Sequence, residues 1–128
     1  MSDMTTAAAS AAASILLADG VFPAYSAANC YLAVGDSSTA FTPAQTDLQA
    51  ATNKLRKIVT SASRSGAVLT YTTTYSTSEA NFQWNEIGVF NDPTAGTMFA
   101  RKVQAIGGGP KPNTEAWTLQ VTLTLQAV

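Results

Sequence analysis

Two glutamates, Glu79 and Glu86, lie seven residues apart in a chain that contains no histidine. A carboxylate pair is the minimum for general acid and base work on a glycosidic bond, provided that a cleft holds the two groups facing one another. Here one carboxylate falls in a connection and the other on a strand, so nothing in the pattern sets them across a cleft. Glu86 instead reads as a partly buried group that needs a partner, and Arg101 across a hairpin is the natural one. The lack of histidine excludes Ser-His-Asp and Cys-His sites. A single cysteine, Cys30, excludes the usual zinc ligand sets and any intrachain disulfide, and its place before a strand suggests a small buried hydrophobe. Asp36 and Asp47 lack the spaced acidic loop of a calcium site and read as turn caps. The three glycines Gly107–Gly109 precede no Gly-Lys-Ser/Thr, so they do not form a phosphate cradle. The expectation is a protein with no catalytic residue, no metal and no cofactor.

Charge points the same way. Charged residues are 12% of the 128-residue chain, against about 25% in ordinary domains. The net charge is −1, which gives no reason to expect nucleic acid as a partner. The one basic run, Lys54, Arg56, Lys57 and Arg64, has no interleaved aromatics and reads as a solvated strand face or as a surface for an acidic partner. A surface so lightly charged is poorly defended against association. Residues 1–18 are alanine-rich and end in Ile15-Leu16-Leu17. They are too short to span a bilayer and lack a basic leader, so neither membrane helix nor signal peptide fits.

The elements follow from periodicity. Trp117, Leu119, Val121, Leu123 and Leu125 share one parity of a final strand, with Thr118, Gln120, Thr122, Thr124 and Gln126 on the other. Leu69, Tyr71, Thr73 and Tyr75 repeat that pattern on Val68–Tyr75, after a tight turn at Arg64–Ala67. Leu55–Ser63 reads as one strand, and so does Cys30–Val34. The central strand is apolar on both sides, with Trp84, Glu86 and Phe90 on one parity and Ile87 and Val89 on the other. A turn at Asn91–Gly96 then leads to a strand over Thr97–Val103. Thr42-Pro43-Ala44-Gln45 has the form of a capping box opening one helical turn through Leu48. Residues 106–114 read as a mobile loop. The expected fold is all-β: an antiparallel β-sandwich of about six strands over residues 21–128, with a partly closed barrel as the other way to bury these faces. Its core would include Trp84, Ile87, Phe90, Trp117, Leu119, Val121 and Leu123. Residues 1–20 would form an alanine-rich arm or short helix.

The sequence also carries a resemblance. Trp84-Asn85-Glu86-Ile87-Gly88-Val89-Phe90-Asn91, then Gly96-Thr97-Met98 and Ala100-Arg101-Lys102-Val103, resemble the E-x-G-V-F and M-x-x-R strands of small structural proteins of tailed-bacteriophage virions. Tyr31-Leu32-Ala33-Val34-Gly35 and Thr46-Asp47-Leu48 resemble the first strand and a T-D-L segment of the same proteins, so the likeness covers roughly residues 30 to 126. It implies a non-enzymatic head-decoration (cement) or tail-fibre protein, made in the host cytoplasm and incorporated in the particle. Its partners would be the major capsid protein or neighbouring virion subunits, in a homo-oligomer without nucleic acid or membrane. Decoration is expected over a tail-fibre or baseplate module because the chain is one small domain without shaft-like repeats. A carbohydrate-binding adhesion sandwich is the reading from a different class, suggested by Trp84, Trp117, Tyr31, Tyr71 and Tyr75. The assembly surface is expected to use Met4, Ile15, Leu16 and Leu17 of the arm together with Arg56, Lys57 and Arg64. The arm itself is expected to gain its stability only against another subunit.

Overall fold

The computed structural model describes residues 4–125. They form a helix, α1 (Thr6–Leu17), and seven strands: β1 (Tyr31–Gly35), β2 (Lys54–Ile58), β3 (Ser61–Ser65), β4 (Val68–Tyr75), β5 (Trp84–Phe90), β6 (Met98–Ile106) and β7 (Trp117–Thr124). The strands make two antiparallel sheets, ordered β2-β1-β5-β6 and β3-β4-β7. The architecture is consistent with a β-sandwich, and the sheets do not close into a barrel.

The seventh strand arises because Leu55–Ser63 is two strands rather than one. Val59 still donates its N–H to Cys30, beside β1, whereas Thr60 donates to Thr72 of β4. The chain therefore changes sheets at the Val59–Thr60 peptide. Val59 turns into the core while Ile58 remains exposed.

Alternation on β4 and β7 is as the side chains dictate. Tyr71, Thr73 and Tyr75 are buried against Leu119, Val121 and Leu123, and Leu125 lies beyond the end of β7 and is half exposed. Gln126 falls outside the described residues, as do the first three residues of the arm. The layers are also tied by polar groups: the Tyr75 hydroxyl donates to Leu32 O at 2.7 Å and the Thr73 hydroxyl to Ile58 O at 2.7 Å.

β5 departs from simple parity. Trp84, Ile87 and Val89 all face the inter-sheet core, whereas Phe90 joins Ala33, Leu48 and Met98 on the outer face of the four-stranded sheet. The register against β6 is irregular between Trp84 and Glu86, with one extra residue on β6, and across that irregularity the tryptophan faces the inter-sheet core and the glutamate the outer face. Phe90 is thus a core residue of a second, outer layer.

Two loop expectations change as well. The expected helical turn at 42–48 is a single turn closed by Gln45 N to Thr42 O, 3.1 Å. The Leu48 N–H then turns to Asp47 Oδ1, and beyond the expected turn the Gln49 and Ala50 N–H groups go to the Glu86 carboxylate. The glycine- and proline-rich segment after β6 is pinned by Lys111. That side chain is 1% exposed, and its ammonium donates to Ser76 O and Asn81 Oδ1, both at 2.7 Å.

Candidate assembly surface

Glu86 and Arg101 are brought together as their positions suggest. Both are fully buried, with Arg101 Nε 2.8 Å from Glu86 Oε1. Glu86 also accepts the backbone N–H groups of Gln49 (2.7 Å), Ala50 (2.8 Å) and Ser37 (3.3 Å). Arg101 donates to Thr39 O at 2.9 Å and Gln45 Oε1 at 3.1 Å. No buried polar atom of the pair is left bare, the condition under which a buried ion pair is tolerated. The pair clamps segment 36–53 over the outer face of the four-stranded sheet. Space for that clamp comes from two glycines. A Cβ on Gly35 would stand 2.6 Å from Glu86 Oε2, and one on Gly88 would stand 2.8 Å from the Phe90 ring and 2.9 Å from Leu48. Sequence reasoning missed this cover, and its signal is the run of small residues, Ala33, Gly35 and Gly88, on one face of two adjacent strands.

The basic run is dispersed. Arg56 lies over the Phe90 ring at 3.6 Å and donates to Asp92 O and Ala95 O, holding the β5–β6 turn. Lys54 meets Asp47 at 3.3 Å. Lys57 pairs with Glu79 near the end of β4. Hydrogen bonds from Lys57 and from the Ser76 N–H pull the Glu79 carboxyl down to about 2. Arg64 is exposed, donating to Gly66 O. Lys54, Arg56 and Lys57 are thus engaged with partners within the chain, and among the four Arg64 alone is not in an ion pair among the described residues. Glu79 and Glu86 are likewise held by different partners.

The aromatic residues also have internal roles. Trp84 is 1% exposed and stacks edge-on against both Tyr75 and the half-buried Trp117, each at 5.0 Å. Burial pushes the Tyr71 hydroxyl up to about 12, and it donates to Tyr25 O at 2.8 Å. Burial similarly raises the Cys30 thiol to about 12, so it is not a nucleophile near neutral pH. No three His, Cys, Asp or Glu residues among those described gather as metal ligands.

One surface open to a partner lies around α1. Thr5 caps the helix by accepting the Ala8 N–H at 3.1 Å, and its own N–H reaches Phe99 O at 3.0 Å. Ala8, Ala11 and Ser14 are buried against the sandwich. The arm therefore packs on its own domain, contrary to the expectation that only another subunit stabilises it. Alanine at the contact positions lets the helix approach closely, and the larger side chains at its end face away. Leu16 is 88% and Leu17 76% exposed, with Met4, Ile15, Val21 and Leu125 also open. Between the helix and the sandwich runs a groove of about 370 Å³ whose floor is Tyr25, Tyr71 and Phe99. Among the described residues, no charged side chain lines it. Of the four arm residues singled out by sequence, Met4, Ile15 and Leu16 line this groove and Leu17 is exposed outside its lining, and none of the three basic residues lines it.

No family model, no curated protein and no solved structure matches this chain. Among the described residues no helix is long and apolar enough to cross a membrane.

Proposed function

We propose that this protein is a non-enzymatic structural component of a tailed-bacteriophage virion that decorates the outer shell of the major capsid protein. One observation carries the reading: exposed apolar side chains at Met4, Ile15, Leu16 and Leu125 line an uncharged groove beside α1, with Leu17 and Val21 also open to solvent. It sits on a folded domain whose buried polar side chains, among the described residues, are all paired. Exposed apolar area of this kind marks a protein–protein surface. The sequence likeness to virion proteins supplies the setting. The segments that carry it, around Glu86, Gly88, Phe90 and Arg101, are the ones that clamp segment 36–53 to the sheet, so the shared motif has a structural role. Trp84 and Trp117 are engaged with one another, which weakens the carbohydrate-binding alternative.

The test is fractionation of particles from the phage that encodes the chain, into heads and tails, followed by mass spectrometry and by adding back purified protein. Recovery on heads, with rebinding to heads that lack it, is the expected result. Recovery on tails alone would assign it to a fibre or baseplate, and absence from both fractions would overturn a virion role.

A further inference from the structure

We infer that the open side of the sandwich, between β6 and β7, takes an extended strand that bears a carboxylate, donated by another protein. This gives the assembly role proposed above a second surface, and it rests on that reading for the source of the strand. The two sheets are unequal, four strands against three. The chain steps straight from β2 to β3, so the surplus falls on the opposite side, where β6 and β7 are the outermost strands. A cleft of about 490 Å³ separates them there. Its walls include Ile87, Lys102, Gln104 and Ile106 of one sheet and Leu119 and Val121 of the other. An adjoining recess shares Ile106 and Leu119 and carries the cleft on to Trp117. Along β7 the opening is therefore as long as an ordinary strand of about 5 residues.

Main-chain groups select the conformation of the occupant. The Leu125 N–H donates to Ala67 O at 3.0 Å, and the Thr60 N–H to Thr72 O at 2.7 Å. By the alternation of an antiparallel ladder, the first bond assigns Leu123, Val121 and Leu119 to bonding with β4. The second turns Thr72 toward β3 and so away from its β7 neighbour, Gln120. The N–H and C=O groups of Thr118 and Gln120 thus point outward from β7, and among the described residues no main-chain bond reaches them. Such an edge is completed by adding a strand, the way in which sheets hold extended peptides.

Charge selects the composition. Lys102 is partly buried in the cleft wall, and among the described residues no acid lines that wall. The ion pairs within the chain use Lys54, Arg56, Lys57 and Arg101, not Lys102. A strand beside β7 can turn alternate apolar side chains toward Ile87, Ile106, Leu119 and Val121 and set a carboxylate against Lys102.

The test titrates the full chain with overlapping short peptides that tile the structural proteins of the encoding phage, this chain included, and with a matched set from host proteins. Affinity and amide hydrogen exchange are measured. Binding by acid-bearing, alternately apolar phage peptides is expected, with exchange at Thr118 and Gln120 slowed about tenfold or more. Lys102→Ala should weaken that binding about tenfold, and sodium chloride should weaken it in the wild type. Gln120→Pro removes an N–H that the ladder does not use, so it should abolish binding with little change in the melting curve. If that variant unfolds, Lys102→Ala, at a partly exposed site, decides alone. Three results would overturn the strand site: no peptide binds, binding leaves Thr118 and Gln120 exchanging as in the free chain, or Lys102→Ala binds more tightly. The last is the behaviour of a lysine that only guards a bare edge. Binding confined to peptides of this chain would make the occupant a second copy and overturn it too. Any of these with recovery on heads leaves the virion role standing; binding confined to host peptides, without recovery on particles, does the reverse.

Discussion

On the outer face of the four-stranded sheet, segment 36–53 covers Ala33, Phe90 and Met98 and brings three backbone donors to one carboxylate. At α1, a 12-residue helix without a single charge covers the sandwich with alanines and leaves its leucines in water. Both are cover segments laid over a β-framework. The first is sealed by polar bonds that only one arrangement satisfies, and the second is held by small apolar contacts and a cap. A buried polar cluster is costly when incomplete, so it fixes its cover in place. An apolar face has no such directional demand, and it remains available to whatever matches its shape.

That contrast can be broken experimentally, beginning at the sealed cover. Glu86→Ala strands a buried guanidinium and should cost ~3–5 kcal/mol in urea-unfolding free energy. A loss below about 1 kcal/mol, the size expected of an exposed pair, would mean that the clamp is not closed in solution. Trp84→Ala, in the inter-sheet core, should cost a similar ~3–5 kcal/mol, whereas Trp117→Ala should cost clearly less because the Trp117 ring is only half buried. At the open cover the effects shrink. Thr5→Ala removes the cap and its buried hydroxyl bond to Met98 O, and should cost ~1 kcal/mol with a loss of helical circular dichroism. Glu79 provides a pH-dependent increment. Its folded value of about 2 lies below its ordinary 4.5, so the stabilisation is complete above the upper value and lost as pH falls toward the lower. Lys57→Ala should flatten the melting temperature across that window. Leu17→Ser, at the smallest end, should move stability by no more than ~0.5 kcal/mol, and a larger drop would show that the leucine is part of its own domain's core.

The same two regions explain what the sequence discloses and what it hides. β4 and β7 are legible because each has one wet face, and alternation of Thr with Leu, Tyr or Val then has a single meaning. The Glu86–Arg101 pair is legible because burial on a central strand forces a partner. Counting alone puts Trp84 and Phe90 on one face, and they separate across the irregular β5–β6 pairing between Trp84 and Glu86; a change of register is a backbone event with no side-chain signature here. The β2–β3 change of sheet is hidden for a related reason, since Leu55–Ser63 is a continuous run of strand-forming residues whose break is a change of hydrogen-bond partner. Segment 36–53 uses its main chain, not its side chains, to bind Glu86, so its residues look like an ordinary loop. The one recognisable helix signal within it, at 42–48, closes a single turn, and the amides just past it, Gln49 and Ala50, serve the carboxylate. Lys111 gives no warning either, being a lone base among glycines and prolines. At α1 the residue types identify the surface, and only the folded arrangement separates the alanine side, which is buried, from the leucines, which are not.

The three-stranded sheet has a consequence for synthesis. β4 ends at Tyr75, but its inward partner β7 begins only at Trp117, and the two pair along their full lengths from Val68↔Thr124 to Tyr75↔Trp117. On the ribosome, the β3–β4 hairpin can form as soon as it emerges, yet one of its long edges then stays unsatisfied until Thr124 has left the exit tunnel. At translation rates of about 5–20 residues per second, that leaves a tyrosine- and threonine-rich strand edge uncovered for seconds on each nascent chain. Neighbouring chains on one polysome would carry the same bare edge, so cotranslational mispairing at β4, rather than failure of the finished domain, is where overproduction of this protein would first go wrong.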